Sequence, residues 1–173
     1  MKNIFTATLV MFSSLAFSQI AIGKPSVSNI SVSLEFGDNA NKGIILPWVT
    51  SAGDVSGAVN GTIIYDTTDK KVKYMKGGTW FDLSRDNTGT VDTSIQDPLT
   101  ESTSAKAAIG SSGSTDTTPG ILVLTDTDKA MVLPRVASPH LNIVNPAAGM
   151  MVYDTFNHLM AVYNGTVWSF WRP

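Results

Sequence analysis

The chain has 173 residues, a formal charge of −2, 43% apolar residues and no cysteine. That length holds one ordinary domain or two small ones, and the missing cysteines exclude disulfides, thiolate metal sites and cysteine nucleophiles. Its lysines and arginines are scattered, which argues against nucleic acid as a partner, because phosphate binding needs concentrated positive charge.

At the amino terminus, Lys2 precedes the almost uncharged run IFTATLVMFSSLAF, and small residues follow at the −3 and −1 positions of Ala16-Phe17-Ser18. This is the pattern of a signal peptide over residues 1–18, with Ala21-Ile22-Gly23 as a second possible cut. The run is short for a membrane span, and no other segment approaches the roughly 20 apolar residues that a span needs. The mature chain is therefore expected to be secreted, extracellular or on the outer cell surface, with no transmembrane segment of its own.

Next comes an internal repeat. KGIILPWV (Lys42 to Val49) answers to KAMVLPRV (Lys129 to Val136), GTIIYDT (Gly61 to Thr67) to GMMVYDT (Gly149 to Thr155), and KGGTWFDL (Lys76 to Leu83) to NGTVWSFW (Asn164 to Trp171). Leu46-Pro47 and Leu133-Pro134 lie 87 positions apart, whereas Gly61 and Gly149, or Trp80 and Trp168, lie 88 apart, so one residue is inserted between the blocks. Leu34 and Phe36 fall on Ile121 and Val123. The units are read as residues 32–83 and 119–171. Between them, 84–118 is rich in Ser, Thr, Gly and Asp, the composition of a linker or loosely held segment; within it Ala105 to Gly110 could dock as a strand or turn on the second unit.

Each unit reads as strands. TIIYD and MMVYD are short apolar β-type runs that end in Asp-Thr, giving a four- or five-residue hairpin connection. In KKVKYMK, Val72 and Tyr74 share one face and Lys71 and Lys73 the other. Gly77-Gly78 and Asn164-Gly165 are tight-turn signals of the type that tolerates positive φ, and a strand carrying Trp80 or Trp168 follows. The fold class is thus mainly β: two copies of a short antiparallel meander joined by a Ser/Thr-rich linker.

Candidate chemistry is sparse. His140 and His158 have Gly53 and Lys70 as counterparts, and a site essential to the unit should occur in both copies, so surface loops are their default. No Gly-x-Ser-x-Gly elbow, His-Glu-x-x-His or phosphate loop occurs; no catalytic residue, cofactor or metal is assigned. Asp66 and Asp154 sit where an Asp accepts turn N–H groups. Thr125-Asp126-Thr127-Asp128 offers oxygen ligands to calcium, but the counterpart Gly37-Asp38-Asn39-Ala40 has one carboxylate fewer. Trp80 and Trp168 fit the need of a small unit for large core residues. Trp48 and Trp171 lack aromatic counterparts, and Tyr163 is answered by Met75. These three are the candidates for stacking on a glycan, whose pyranose C–H faces suit flat aromatic rings.

The combination Leu-Pro-Arg-Val, Asn-Pro-Ala-x-Gly, Val-Tyr-Asp-Thr and Tyr-Asn-Gly-Thr-x-Trp resembles a repeat module of exported surface proteins of Bacteroidetes-type bacteria, themselves similar to phage tail-fibre and adhesin stalks. The likeness covers Gly120 to Trp171; the first unit departs from it at Trp48 and at Met75-Lys76-Gly77. It implies a non-enzymatic structural or adhesive surface protein, with a carbohydrate-binding module as the alternative. Short meanders leave open edges, so pairing between units or chains is expected, a trimer like fibre stalks among the forms. Other surface proteins and glycans are further candidate partners. The resemblance also makes Thr67 and Thr117 O-glycosylation candidates, through Asp66-Thr67-Thr68 and Asp116-Thr117-Thr118.

Overall fold

Short β-branched and aromatic runs punctuated by Gly, Asn and Asp favour brief strands with tight returns, and the computed structural model of the chain is mainly β. It describes residues 19–38, 41–100, 102 and 104–172; the signal peptide expected over residues 1–18 lies outside the described residues. The first half holds β1 (Ile20–Ile22), β2 (Val32–Phe36), β3 (Ile44–Ile45), β4 (Trp48–Val49), β5 (Ile63–Asp66), β6 (Lys71–Lys76) and β7 (Thr79–Asp82). The second holds β8 (Ala107–Ile109), β9 (Leu122–Leu124), β10 (Ala130–Val132), β11 (Arg135–Val136), β12 (Met150–Asp154), β13 (Leu159–Tyr163) and β14 (Trp168–Trp171). A 3₁₀ turn over Ala52–Asp54 precedes β5, and the one-turn helix α1 (Pro139–Asn142) precedes β12.

Both halves form a sheet of the same order, β4-β5-β6-β7 and β11-β12-β13-β14. The strand after Leu-Pro runs parallel to the next, pairing Trp48 with Tyr65 and Arg135 with Tyr153, and the remaining pairs are antiparallel. Four residues connect Asp66 to Lys71 and Asp154 to Leu159, with Lys70 and His158 both left-handed at φ 58° and 57°. The second turns differ from each other. Gly77 and Gly78 have φ 58° and 76° and form the two-residue turn. Between Tyr163 and Trp168 the turn opens to four residues, in which only Gly165 has positive φ, so Asn164-Gly165 is not the tight turn its sequence suggests.

Upstream, β1 pairs in parallel with β2, Ile20 opposite Leu34, and β8 with β9, Ala107 opposite Leu122. By this register Leu34 answers to Leu122, one residue past the Ile121 that sequence alignment selects. The strand expected in Ala105 to Gly110 is β8, so part of the 84–118 stretch is held in a ladder.

The halves then exchange strands. β3 joins β12 antiparallel, Ile45 opposite Met150, while β10 joins β2 in parallel. One buried cluster unites Leu46, Tyr65, Val72 and Leu83 with Ala148, Met151 and Val162; a second gathers Val136, Ile143, Met150, Val152 and Ala161. A meander too small to close a core alone therefore completes it with its sibling. Gly149 sits at the seam with φ 75°, where an added Cβ would lie 2.8 Å from Tyr65 Cβ; Gly61, its counterpart, has φ 89° and open space. Gly61→Ala should incur only the left-handed penalty of about 1–2 kcal/mol. Gly149→Ala should add an overpacking cost of about 1–3 kcal/mol, a difference that paired urea titrations would read directly.

Candidate functional site

Tyr163 and Trp171 do not share a face, and Trp48 is tied to the seam between the repeats. Trp48 is half-buried, donates its indole N–H to Ala148 O at 2.8 Å and tilts over Tyr65 with centroids 6.4 Å apart. Tyr163 is half-buried against Trp168, centroids 5.2 Å apart. Trp171 is 40% exposed and gives its indole N–H to Leu83 O. It pairs with Met160, three positions along β13 from Tyr163, and odd spacing in a strand puts the two pairs on opposite faces.

The Asn-Gly-Thr turn is covered by its own chain. Asn164 is buried; its side-chain oxygen accepts from Thr166 N at 2.9 Å and Val167 N at 2.8 Å, and its amide donates to Asp86 Oδ1 at 2.9 Å. Thr166 Oγ1 donates to Thr88 O at 2.9 Å, and Thr90 Oγ1 to Gly165 O at 3.1 Å. Tyr65, fully buried, donates its hydroxyl to Asn164 O at 2.7 Å, and burial pushes its pKa up to about 12. This turn thus locks one repeat to the other, an assignment that neither copy's sequence reveals alone.

The two equivalent carboxylates are turn organisers. Asp66 accepts from Ala52 N at 2.9 Å, Thr68 N at 3.1 Å and Asp69 N at 2.9 Å; Asp154 accepts from Ser138 N at 3.0 Å, Phe156 N at 2.9 Å and Asn157 N at 3.2 Å. Burial raises both, but the converging donors outweigh it and hold each below the ordinary carboxylate range. Lys73, on the face opposite Val72 and Tyr74, is buried between Asp66, at 2.9 Å, and Asp69. In the second copy Ala161 and Asn157 stand at the Lys73 and Asp69 positions, and Asn157 Nδ2 bonds Asp154 Oδ2 at 2.8 Å. A hydrogen bond from a neutral amide there replaces a buried ion pair.

A long-range clamp escaped sequence reasoning. Arg135 forks onto Asp38 at 2.7 Å through Nε and at 2.7 Å through Nη2, and its Nη2 lies 3.7 Å from buried Glu35. The Lys24 ammonium, 2.6 Å away, holds Glu35 below the usual range against burial, aided by Ser28 N–H. The Arg135/Trp48 difference between copies was its only trace.

The remaining candidates are plain. His140 stands edge-on to Phe170 at 5.7 Å, and His158 is the left-handed turn residue. Asp126 accepts from Ser111 N and Oγ, each at 2.8 Å, and from Lys129 at 2.9 Å, so donors surround the proposed calcium oxygens. Thr67 Oγ1 donates to Val49 O at 3.0 Å; Thr117 is exposed. Among the described residues no cluster of three acidic or histidine side chains is placed to hold a metal, and no helix is long and apolar enough to cross a membrane.

Within the two repeat units, apolar exposure is greatest in the second copy. Leu141, Val144 and Phe156 are 73%, 82% and 72% exposed, and Asp154 ties α1 and the β12–β13 turn together beneath them. Leu141 occupies the position of Asp54, and Phe156 that of Thr68. Residues 108–172 match the family model of the phage tail like trimerisation region. The matched stretch contains α1, that turn and all three residues. No curated protein and no solved structure gives a match.

Lys73→Ala, which strands the buried Asp66 carboxylate, should destabilise by about 3–5 kcal/mol. Adding Asp69→Asn recreates the second copy's arrangement and should recover a good part of that loss in a double-mutant cycle. Glu35, Asp66 and Asp154 all have depressed folded-state values, so their stabilisation is fully present above the unfolded carboxylate value of about 4 and is lost as pH falls through the folded values. The thermal midpoint should hold steady from neutral to about pH 5 and drop below about pH 4. Asp154→Asn should lower the midpoint at neutral pH and make the acid decline shallower.

Proposed function

We propose that the protein is a non-enzymatic structural module of an exported, fibre-like surface assembly, and that it trimerises through the surface carrying Leu141, Val144 and Phe156. The observation that carries this reading is the coincidence of the trimerisation-region match with large apolar residues exposed in one copy and replaced by polar ones in the other. A monomer keeps such residues exposed at a cost in solubility, whereas a partner surface removes them from water. Three identical chains around an axis satisfy the same contact three times and close. Export rests on residues 1–18. Because β1 starts at Ile20, a cut after Ser18 leaves the first parallel ladder whole, whereas a cut after Gly23 removes it.

Light scattering on the purified protein should give the mass of three chains. Phe156→Asp combined with Leu141→Asp buries unpaired charge, at about 2–5 kcal/mol, and should raise the dissociation constant at least about tenfold per 1.4 kcal/mol lost. Far-UV circular dichroism should stay unchanged, and Thr68→Asp at the matching first-copy position should leave the trimer intact. A wild-type chain that stays monomeric at all concentrations would refute the proposal.

A further inference from the structure

Among the described residues, the strand exchange that joins the two halves leaves matching vacancies: β2 is flanked by β1 and β10, but its counterpart β9 is flanked by β8 alone. β12 is met on one side by β11 and β3, but among the described residues its counterpart β5 is met there by β4 alone, opposite Tyr65 and Asp66. β3 and β10, which are themselves counterparts, each pair along one edge: β3 with the sheet of the following unit, β10 with β2 of the preceding one.

The backbone groups at these edges point the right way. Ala107 N donates to Ile121 O and Thr125 N to Ile109 O, both at 2.8 Å, so Ile121, Val123 and Thr125 face β8. By alternation Leu122 and Leu124 turn their N–H and C=O to the vacant edge. Leu46 N donates to Gly149 O at 3.1 Å, so Ile44 and Leu46 face β12 while Ile45 faces away. Ala130 N donates to Ser31 O at 2.8 Å, so Val132, the Ile45 counterpart, faces β2. The edge that β10 uses on β2 is therefore the edge that β3 leaves open. Ile121, Leu122 and Ile45 are 55%, 50% and 56% exposed beside these edges.

We propose that a second copy of this chain docks head to tail by repeating the internal exchange. Its β3 adds in parallel to β9, Ile44 opposite Leu122 and Ile45 opposite Val123. In return β10 of the first copy adds antiparallel to its β5, Met131 opposite Ile63. Such a contact is heterologous and does not close, so it extends along a line, whereas the trimer contact closes around an axis; the two use different residues and stand independently. The joint is weaker than the internal one. At the positions of Arg135, Glu35 and Asp38 it has Trp48, Val123 and Asp126, so the ionic clamp is missing, and Ala130 replaces Gly43 at the close approach to the neighbouring strand.

Sedimentation velocity on the purified protein over a wide concentration range tests this. The mass should grow with concentration in multiples of the base unit and respond little to salt. Leu122→Pro removes an N–H from the open edge of β9 and spares the β8 ladder; Ile45→Pro does the same for β3 and spares β12. Each variant alone should stay at the base mass, and a mixture of the two should double it and stop, because each retains the end the other lacks. Leu122→Lys, a charge on the same edge, checks the result with a side chain that leaves the ladder groups in place, and near-UV circular dichroism confirms folding. Growth that persists in either proline variant, or a base mass independent of concentration, overturns the head-to-tail joint. Repeating the series in Phe156→Asp separates it from the trimer, since the base unit then changes and the stepwise growth remains.

Discussion

β5 and β12 each need a neighbour along the side opposite the hairpin, and the short strand that follows Leu-Pro covers only their carboxyl-terminal residues. In β12 the uncovered half is filled by β3 from the other repeat, and an unpaired backbone edge is costly enough to make that filling the organising contact. Because β3 lies there, Leu46 enters the second sheet's core and Gly149 closes on Tyr65. Tyr65 then reaches Asn164 O, and the turn around Asn164 holds residues 86–90 across its outer side. One exchanged strand of two residues thus fixes how far apart the sheets sit.

Once the repeats are locked, the differences between them become interpretable. Lys73 forms a buried ion pair with Asp66 and reaches the exposed Asp69, whereas Asn157 meets the same need for Asp154 through a neutral amide. Arg135 clamps Glu35 and Asp38 across the seam, while Trp48, its counterpart, turns its indole to Ala148 within the same seam. Both copies therefore satisfy one backbone plan with different side chains. Other differences lie on the outer surface, where Leu141 stands against Asp54 and Phe156 against Thr68. At these positions the large apolar group adds little to the chain's own packing, because most of its surface stays in water.

Much of the fold was legible in the chain. The apolar runs before Asp66 and Asp154, the Gly77-Gly78 turn and the Leu-Pro spacing are local signals, and local backbone preferences suffice to specify hairpins. The carboxylate roles were legible for the same reason, since an Asp at a hairpin end bonds N–H groups within a few residues. β1 was not, nor was the parallel partner of the strand expected in Ala105 to Gly110, although Ile20 to Ile22 and Ala107 to Ile109 keep the 87-residue spacing of Leu-Pro: three apolar residues carry no period, and parallel pairing leaves no turn to mark it. The ionic role of Lys73 was not legible either, because alternation predicts a face and not the carboxylates on it.

The sequence by itself determined a doubled, cysteine-free β chain, its hairpins, its turn carboxylates and the uneven distribution of aromatic residues between the copies. These follow from contacts spanning a few residues or from direct comparison of one copy with the other. Only the tertiary structure decided that the copies trade strands, that Tyr65 and Asn164 form the lock, that Trp48 and Trp171 spend their indole N–H groups inside the chain, and that Leu141, Val144 and Phe156 remain exposed. Those outcomes depend on residues about a hundred positions apart meeting in space, where the closing of open edges, rather than local preference, selects the partner.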